Sequence, residues 1–289
     1  MTEDGRKSVL ITGCTAGSIG DALAREFHAR DFRVFATSRN YETMSTLAQE
    51  GIETIKLDIT QDEDIERVAR EVSMRTGGTL DVLVNNAGVG YSFSVVDSNM
   101  AKVRQLFNIN VVGHYAMTHA FIPLLLKSDR GVVLFTSSIG GVVPMPLNAA
   151  YSASKAAISA LSDTLRLELA PFGVKVINLV TGMVYSNLAP RVNIDEVFPE
   201  GSLYKPIQPD FVAMFARSME TSTPTAVYAK GVVDEVLKKS PAAWYWSGGL
   251  STMTWLLSVF APRGITDWIF TKQCGLDKLA EIERTQKKA

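Results

Sequence analysis

The stretch SVLITGCTAGSIG, running from Ser8 to Gly20, decides how the chain is read. Ser8–Thr12 is a short, mostly apolar run, three glycines follow at 13, 17 and 20, and Ile19–Ala29 carries apolar residues at helical spacing. A strand, a glycine-rich turn and a helix in that order suit an anion. Glycine lets the backbone turn sharply and come close to a pyrophosphate, and the start of a helix offers free N–H groups and a positive dipole end. Gly13, Thr15, Gly17, Ser18, Ile19 and Gly20 are the candidate phosphate-binding residues. An ordinary glycine-rich turn is the competing interpretation, and the glycines alone do not separate the two.

Outward from this stretch, strand-like and helix-like segments alternate to about residue 180. Strands are expected at Arg33–Thr37, Ile52–Leu57, Leu80–Asn85, Val132–Ser137 and Val174–Val180. Helices are expected at Thr43–Glu50, Asp62–Thr76, twice within Val95–Lys127, and at Ala149–Ala170, where Pro171 and Gly173 stop the last one. This alternation predicts right-handed βαβ units and a Rossmann-type, doubly wound parallel α/β sheet covered on both faces. Residues 187–225 break the pattern with five prolines, and read as a long substrate lid holding a short helix at Phe211–Met219. Thr223-Pro224 then suggests a cap and a first-turn proline for a helix through Lys239, with a last strand at Ala243–Ser247. The expected organisation is one domain over residues 1–249 and an extension over 250–289.

Composition is that of a globular protein: 289 residues, 46% hydrophobic, 20% charged, net charge -1. No basic run precedes the C-terminal tail, so a nucleic-acid partner is not expected. Cys14 and Cys274 lie at opposite ends of the chain, and His28, His114 and His119 form no ligand pattern, so neither a disulfide scaffold nor a metal site is expected. The polar N-terminus has no apolar core of a secretory signal.

The second strand ends Ala36-Thr37-Ser38-Arg39-Asn40. An acid here would bond a ribose 2′-hydroxyl and select NAD; none is present. Arg39 and Ser38 suit a 2′-phosphate instead, which makes NADPH the expected cofactor. Four further elements carry chemistry: Asn85-Asn86-Ala87-Gly88 after the fourth strand, Asn110 on a following helix, Ser137-Ser138 after the fifth strand, and Tyr151 with Lys155 on the Ala-rich helix. Tyr151 and Lys155 share one helix face, since i and i+4 are neighbours. An ammonium there is expected to lower the tyrosine pKa from about 10. A tyrosine so placed donates a proton to a carbonyl oxygen, and a serine hydroxyl bonds the same oxygen.

Together these motifs resemble the short-chain dehydrogenase/reductase superfamily over roughly residues 8–240. The resemblance implies an NADP-dependent oxidoreductase with Ser138, Tyr151, Lys155 and Asn110 as its catalytic set. Ser138 is preferred to Ser137 because it lies thirteen residues before the tyrosine. It implies that Asn110 holds a water linking Lys155 to a proton relay. Asp58 then lies near adenine, Asn86, Ala87 and Gly88 line the adenosine ribose, and Val184 and Ser186 contact the nicotinamide carboxamide. Two departures stand out. The glycine spacing is Gly13-x-x-x-Gly17-x-x-Gly20, so either one residue is inserted or Ser18 replaces a glycine. Thr181-Gly182 stands where the family has Pro-Gly, which is expected to loosen that turn.

Asn178-Leu-Val-Thr181-Gly182, Ala226-Val-Tyr-Ala-Lys230 and the apolar tail further resemble the 1-acyldihydroxyacetone-phosphate reductase group. This implies reduction of a ketone on an acylated phosphate substrate, at lipid droplets or the endoplasmic reticulum. Members of the group also reduce ketones in secondary metabolism, and a steroid-like alcohol dehydrogenase is a further alternative. A non-catalytic nucleotide-binding protein at a membrane surface is the alternative of another kind, against which the intact catalytic set speaks. Arg191 and Lys205 are candidate phosphate ligands. Leu250–Ala261 is apolar but shorter than the roughly 20 residues a spanning helix needs. It is expected to cap the pocket, to lie on a membrane or lipid surface, or to form a subunit contact. A homodimer or homotetramer is expected by analogy with the family.

Overall fold

The computed structural model describes residues 5–186 and 194–288. Its strands are Ser8–Thr12 (β1), Arg33–Ser38 (β2), Glu53–Lys56 (β3), Val82–Asn85 (β4), Val132–Thr136 (β5), Lys175–Thr181 (β6), the short Val184–Tyr185 (β7) and Thr223–Pro224 (β8), and Trp244–Ser247 (β9). Seven of them form a parallel sheet in the order β3-β2-β1-β4-β5-β6-β9, and β7 pairs with β8 apart from it. The helices are Ile19–Ala29 (α1), Ser45–Gln49 (α2), Asp62–Arg75 (α3), Met100–Phe107 (α4), His114–Leu125 (α5), Ala149–Leu169 (α6), Ile194–Val197 (α7), Gln208–Glu220 (α8), Thr225–Leu237 (α9), Ser251–Phe260 (α10), Arg263–Gln273 (α11) and Leu276–Gln286 (α12).

Successive side chains of a strand point to opposite faces, and both faces here are covered. Val9 and Ile11 of β1 pack with Leu23 and Phe27 of α1 and Val232 and Val233 of α9. Leu10 faces the other way, into a layer built from Val68 of α3, Phe121 of α5 and Ile158 of α6. That double burial is why β1 and β5 read as continuous apolar runs. Burial of each such side chain contributes about 1.5–3 kcal/mol. Strand β1 lies between β2 and β4, so the chain reverses its direction of winding there. The crevice at the C-terminal ends of the strands opens at this switch point, which places the ligand site.

Several boundaries differ from the sequence-based expectation. The lid helix α8 is thirteen residues long, entered through a 3-10 turn at Lys205–Ile207 with Pro209 in its first turn. Thr223 does not cap the next helix. Thr223 and Pro224 form the ladder with β7, Pro224 takes the N-cap position, and α9 ends at Leu237 rather than Lys239. The Thr181-Gly182 turn is not loose. Thr181 Oγ1 bonds the Tyr228 hydroxyl at 2.7 Å, Gly182 N donates to Ser247 O at 2.8 Å, and a Cβ on Gly182 would stand 2.1 Å from Gly249 O. Cross-strand bonding and close packing replace the rigidity of a proline ring.

The apolar stretch from residue 250 folds as α10 and α11, and among the described residues no helix is long and apolar enough to cross a membrane. Helix α10 packs beside β9, buries Ser251 and Thr254, and leaves Trp255, Val259 and Phe260 exposed, as α11 leaves Trp268. Neither helix lines the cavity, and the segment that follows α11 packs against α8 instead. Cys274 and Leu276 join Leu147, Phe198, Phe211 and Met214 in a separate apolar cluster under the lid. Lys278 is paired with Asp210 of α8. Gly275 takes φ +72°, and a Cβ there would meet Asp210 at 2.9 Å. The bend that turns the chain onto the lid therefore needs glycine.

Candidate active site

Ser18 caps α1, accepting from Asp21 N at 3.2 Å while donating to Gly13 O at 3.0 Å. A Cβ on Gly20 would lie 2.4 Å from Gly13 O, so Gly20 holds the crowded position of the last loop glycine and Ser18 is the extra residue. Gly13 takes φ +78°, and a Cβ there would lie 2.8 Å from Ala87 Cα. Gly17 turns its N–H to Asp21 Oδ2 at 3.1 Å. Gly17 and Gly20 thus shape the loop, while Gly13, Thr15, Ser18 and Ile19 face the cavity. The Ile19 and Gly20 N–H groups have no hydrogen-bond partner among the described residues. Bare glycine backbone beside unpaired donors at a helix start suits a pyrophosphate.

The cavity, of about 440 Å³, runs from this loop to the lid. At one end Ser38 is buried in a triangle of hydroxyls with Thr15 and Thr43, 3.2–3.4 Å apart. Arg39 is exposed at the rim and carries no ion pair among the described residues. Asp58 lines the same end, and its carboxylate accepts from Thr60 N at 3.0 Å and Thr60 Oγ1 at 2.7 Å. The Asn86–Gly88 segment is held by Thr12, whose hydroxyl accepts from Asn86 N at 2.9 Å and Ala87 N at 3.0 Å. Asn86 Nδ2 returns a bond to Thr12 O at 2.8 Å. Val184 and Ser186 line the wall beyond Gly182.

Ser138, Tyr151 and Lys155 meet at the middle of the cavity. Ser138 follows β5, its hydroxyl accepts from Gly140 N at 3.1 Å, and it lies beside the Tyr151 ring on the same stretch of cavity wall. Lys155 is buried, donates to Thr136 O at 2.7 Å, and sits 5.8 Å from the centre of the Tyr151 ring. Burial lowers the Lys155 pKa to about 8. The tyrosine does not follow the expectation of a lowered pKa. Burial raises it, and the neighbouring Ser138 hydroxyl opposes that rise only in part. Desolvation of the phenolate outweighs an ammonium that already serves a backbone carbonyl.

Asn110 lies in a π-helical turn, Asn108–Gly113, between α4 and α5, a distortion often found at functional sites. Its amide does not line the cavity. It donates to Val89 O at 3.0 Å and Ser154 Oγ at 3.2 Å, and it accepts from Val89 N at 2.9 Å. Asn110 Oδ1 and Lys155 Nζ both converge on Gly88, within 3.2 and 3.7 Å of where a Cβ would stand. In this structure Asn110 positions the loop after β4. His114 was not expected at the site. Its ring is fully buried, and Nε2 meets Ala87 O at 2.6 Å. A carbonyl can only accept, so Nε2 carries the proton, and Nδ1 has no partner among the described residues.

Of the two candidate phosphate ligands, Lys205 donates to Phe198 O at 3.0 Å and does not line the cavity. Arg191 lies outside the described residues. The lid end is lined instead by Phe211, Met214 and Phe215 of the expected lid helix and by Met145 and Pro146, which no sequence motif marks.

A doubly wound parallel sheet, a glycine loop with free helix-start donors, and a Ser–Tyr–Lys set on one cavity define a dinucleotide-dependent oxidoreductase. The chain belongs to the short-chain dehydrogenase family, whose model matches residues 7–197. That family binds NAD or NADP and acts on CH–OH and C=O groups. Short-chain dehydrogenase srdE of Neurospora crassa is 39% identical over 97% of this chain and 96% of its own length. A short-chain dehydrogenase/reductase of Pestalotiopsis microspora is 40% identical, covering 96% of this chain and 98% of that protein. Among solved structures, a short-chain dehydrogenase from Streptomyces avermitilis superposes with a TM-score of 0.75 at 27% identity, over 97% of this chain and 98% of that one. A metagenomic short-chain oxidoreductase in complex with NADP has a TM-score of 0.58 at 30% identity, over 62% of this chain and 84% of that one.

Proposed function

We propose that the chain is an NADPH-dependent reductase that turns the ketone of an apolar substrate into a secondary alcohol. The observation that carries this reading is one cavity with Arg39 at its rim, the Ser138–Tyr151–Lys155 set at its middle and an apolar lid beyond. Arg39, free of an ion pair among the described residues and with no acid beside it on Ser38-Arg39-Asn40, supports a cofactor bearing a 2′-phosphate. The metagenomic relative's NADP complex supports the same choice. When bound, the cofactor supplies a hydride to the carbonyl carbon.

The chain's own work is at the oxygen. The Ser138 and Tyr151 hydroxyls hold it, and the phenol, kept protonated by burial, donates its proton as charge develops there. Lys155 places an ammonium beside that ring and, through Thr136, ties it to the end of β5. A tyrosine held in its acid form suits reduction. Because Lys205 is engaged elsewhere, an unphosphorylated ketone, such as one of secondary metabolism, is favoured over 1-acyldihydroxyacetone phosphate. The exposed apolar face of α10 and α11 supports a contact surface toward a lipid layer or a second copy.

The test is NADPH oxidation by the purified protein with 2-decanone and with 1-acyldihydroxyacetone phosphate, each also given to Tyr151→Phe. Turnover of the unphosphorylated ketone is expected, with a loss of at least about 100-fold in the variant and little change in NADPH affinity. Turnover that survives the substitution means the tyrosine has been wrongly assigned.

A further inference from the structure

Helix α6 begins at an asparagine that does not cap it. Asn148 occupies the N-cap position, where its side chain would ordinarily accept a backbone N–H and stabilise the helix by about 1 kcal/mol. It makes no such bond. The amide is turned into the cavity, where its Oδ1 accepts from Ser92 Oγ at 3.2 Å and its Nδ2 meets the Met145 thioether at 3.3 Å. Sulfur here can only accept, so the atom facing it is the amide nitrogen, and a thioether is a poor acceptor for it.

The residue before it is strained to hold this pose. Leu147 has φ +60°, a region a leucine rarely adopts, and its side chain is anchored in the cluster under the lid. Ser92, Met145 and Asn148 all line the cavity. The group stands next to the chemistry, because Ser138 Oγ, Tyr151 Cε1 and Met145 Sδ all lie within 3.8 Å of the place a Cβ on Gly140 would take. An uncapped helix, a strained leucine and an under-used donor coincide at one point of an otherwise apolar pocket end.

We propose that Asn148 and Ser92 form a recognition subsite for a second oxygen, so that the substrate is an apolar ketone bearing a hydroxyl a few bonds from the carbonyl. The hydroxyl oxygen accepts from Asn148 Nδ2 in place of the thioether. Its proton goes to a lone pair of Ser92 Oγ, whose own proton stays on Asn148 Oδ1. All four groups are then satisfied, which a carbonyl in the same place would not achieve. This rests on the ketone-reductase reading and narrows its substrate class.

The probes are 2-decanone and its 4-, 5- and 6-hydroxy derivatives, offered to the wild type, to Asn148→Leu and to Asn148→Asp. The aspartate keeps the shape and the bond from Ser92 while removing the donor. Two ratios are read between the best hydroxy ketone and 2-decanone: kcat/KM with NADPH, and affinity by calorimetry on the NADP-loaded protein, whose oxidised cofactor has no hydride to give the ketone. A wild-type preference of roughly tenfold or more is expected, falling to near one in both variants. Equal affinities in the wild type, or a preference that survives both substitutions, overturns the subsite. An affinity ratio that behaves as expected without any NADPH oxidation leaves the subsite standing and overturns the reductase reading instead.

Discussion

His114 shows how one buried side chain couples the site to pH. Burial, with the Lys155 ammonium nearby, pushes its pKa down to about 3, against the pull of the Ala87 carbonyl bond. A histidine whose folded pKa is depressed stays neutral in the native state while the unfolded chain takes up a proton below about 6.5. Stability from this group is therefore present above pH 6.5 and is lost as pH falls toward 3, by up to about 1.4 kcal/mol per pH unit. His114→Gln keeps a donor for Ala87 O but has nothing to protonate. Urea unfolding between pH 6 and pH 4 should fall more steeply for the wild type than for this variant. Parallel slopes would mean the ring is not held neutral. The same scale shows what a sequence reveals. Tyr151, Lys155 and Ser138 were legible because their relation is local, one helix turn or one strand end. His114 and Asn148 were not, because a turned-in ring and a forgone cap are set by distant residues such as Ala87 and Ser92.

At the scale of elements, the lid depends on the segment that follows α11. Helix α8 supplies Phe211, Met214 and Phe215 to the cavity, and Cys274, Leu276 and Lys278 hold its other side. Gly275→Ala puts a methyl group at positive φ and against Asp210, which should cost about 1 kcal/mol or more. The expected result is a melting temperature roughly 2 °C lower, with KM raised for bulky ketones more than for small ones. An unchanged KM ratio would detach this segment from the lid's function. Sequence periodicity placed the lid helix but shortened it, since Pro209 reads as a loop residue while serving in its first turn, behind the 3-10 turn at Lys205–Ile207. The apolar stretch from Leu250 could not be assigned to a pocket cap, a lipid surface or a subunit contact from its composition, because α10 buries Ser251 and Thr254 while its large apolar side chains, Trp255, Val259 and Phe260, stay exposed.

Over the whole molecule, the alternation of strands and helices to residue 180 was sufficient to predict the sheet, since each buried parallel strand writes its burial into a continuous apolar run. A ligand that bridges β1, β2 and β4 at the switch point ties together the halves of that sheet, and it stabilises the fold by about 2.7 kcal/mol at a hundred times its dissociation constant. NADP should therefore raise the melting temperature more than NAD at equal concentration, and Arg39→Ala should erase the difference. Equal shifts in the wild type would point to a cofactor without the 2′-phosphate.

The fastening of α8 by Cys274, Leu276 and Lys278 also bears on how the protein is born. Chains leave the ribosome N-terminus first. Among the described residues, those proposed to face the nucleotide, from Gly13 to Ser186, are all translated before the lid's anchor. A nascent chain can thus hold its cofactor while the mouth above the catalytic tyrosine is still unfastened, so competence for the dinucleotide precedes competence for the substrate.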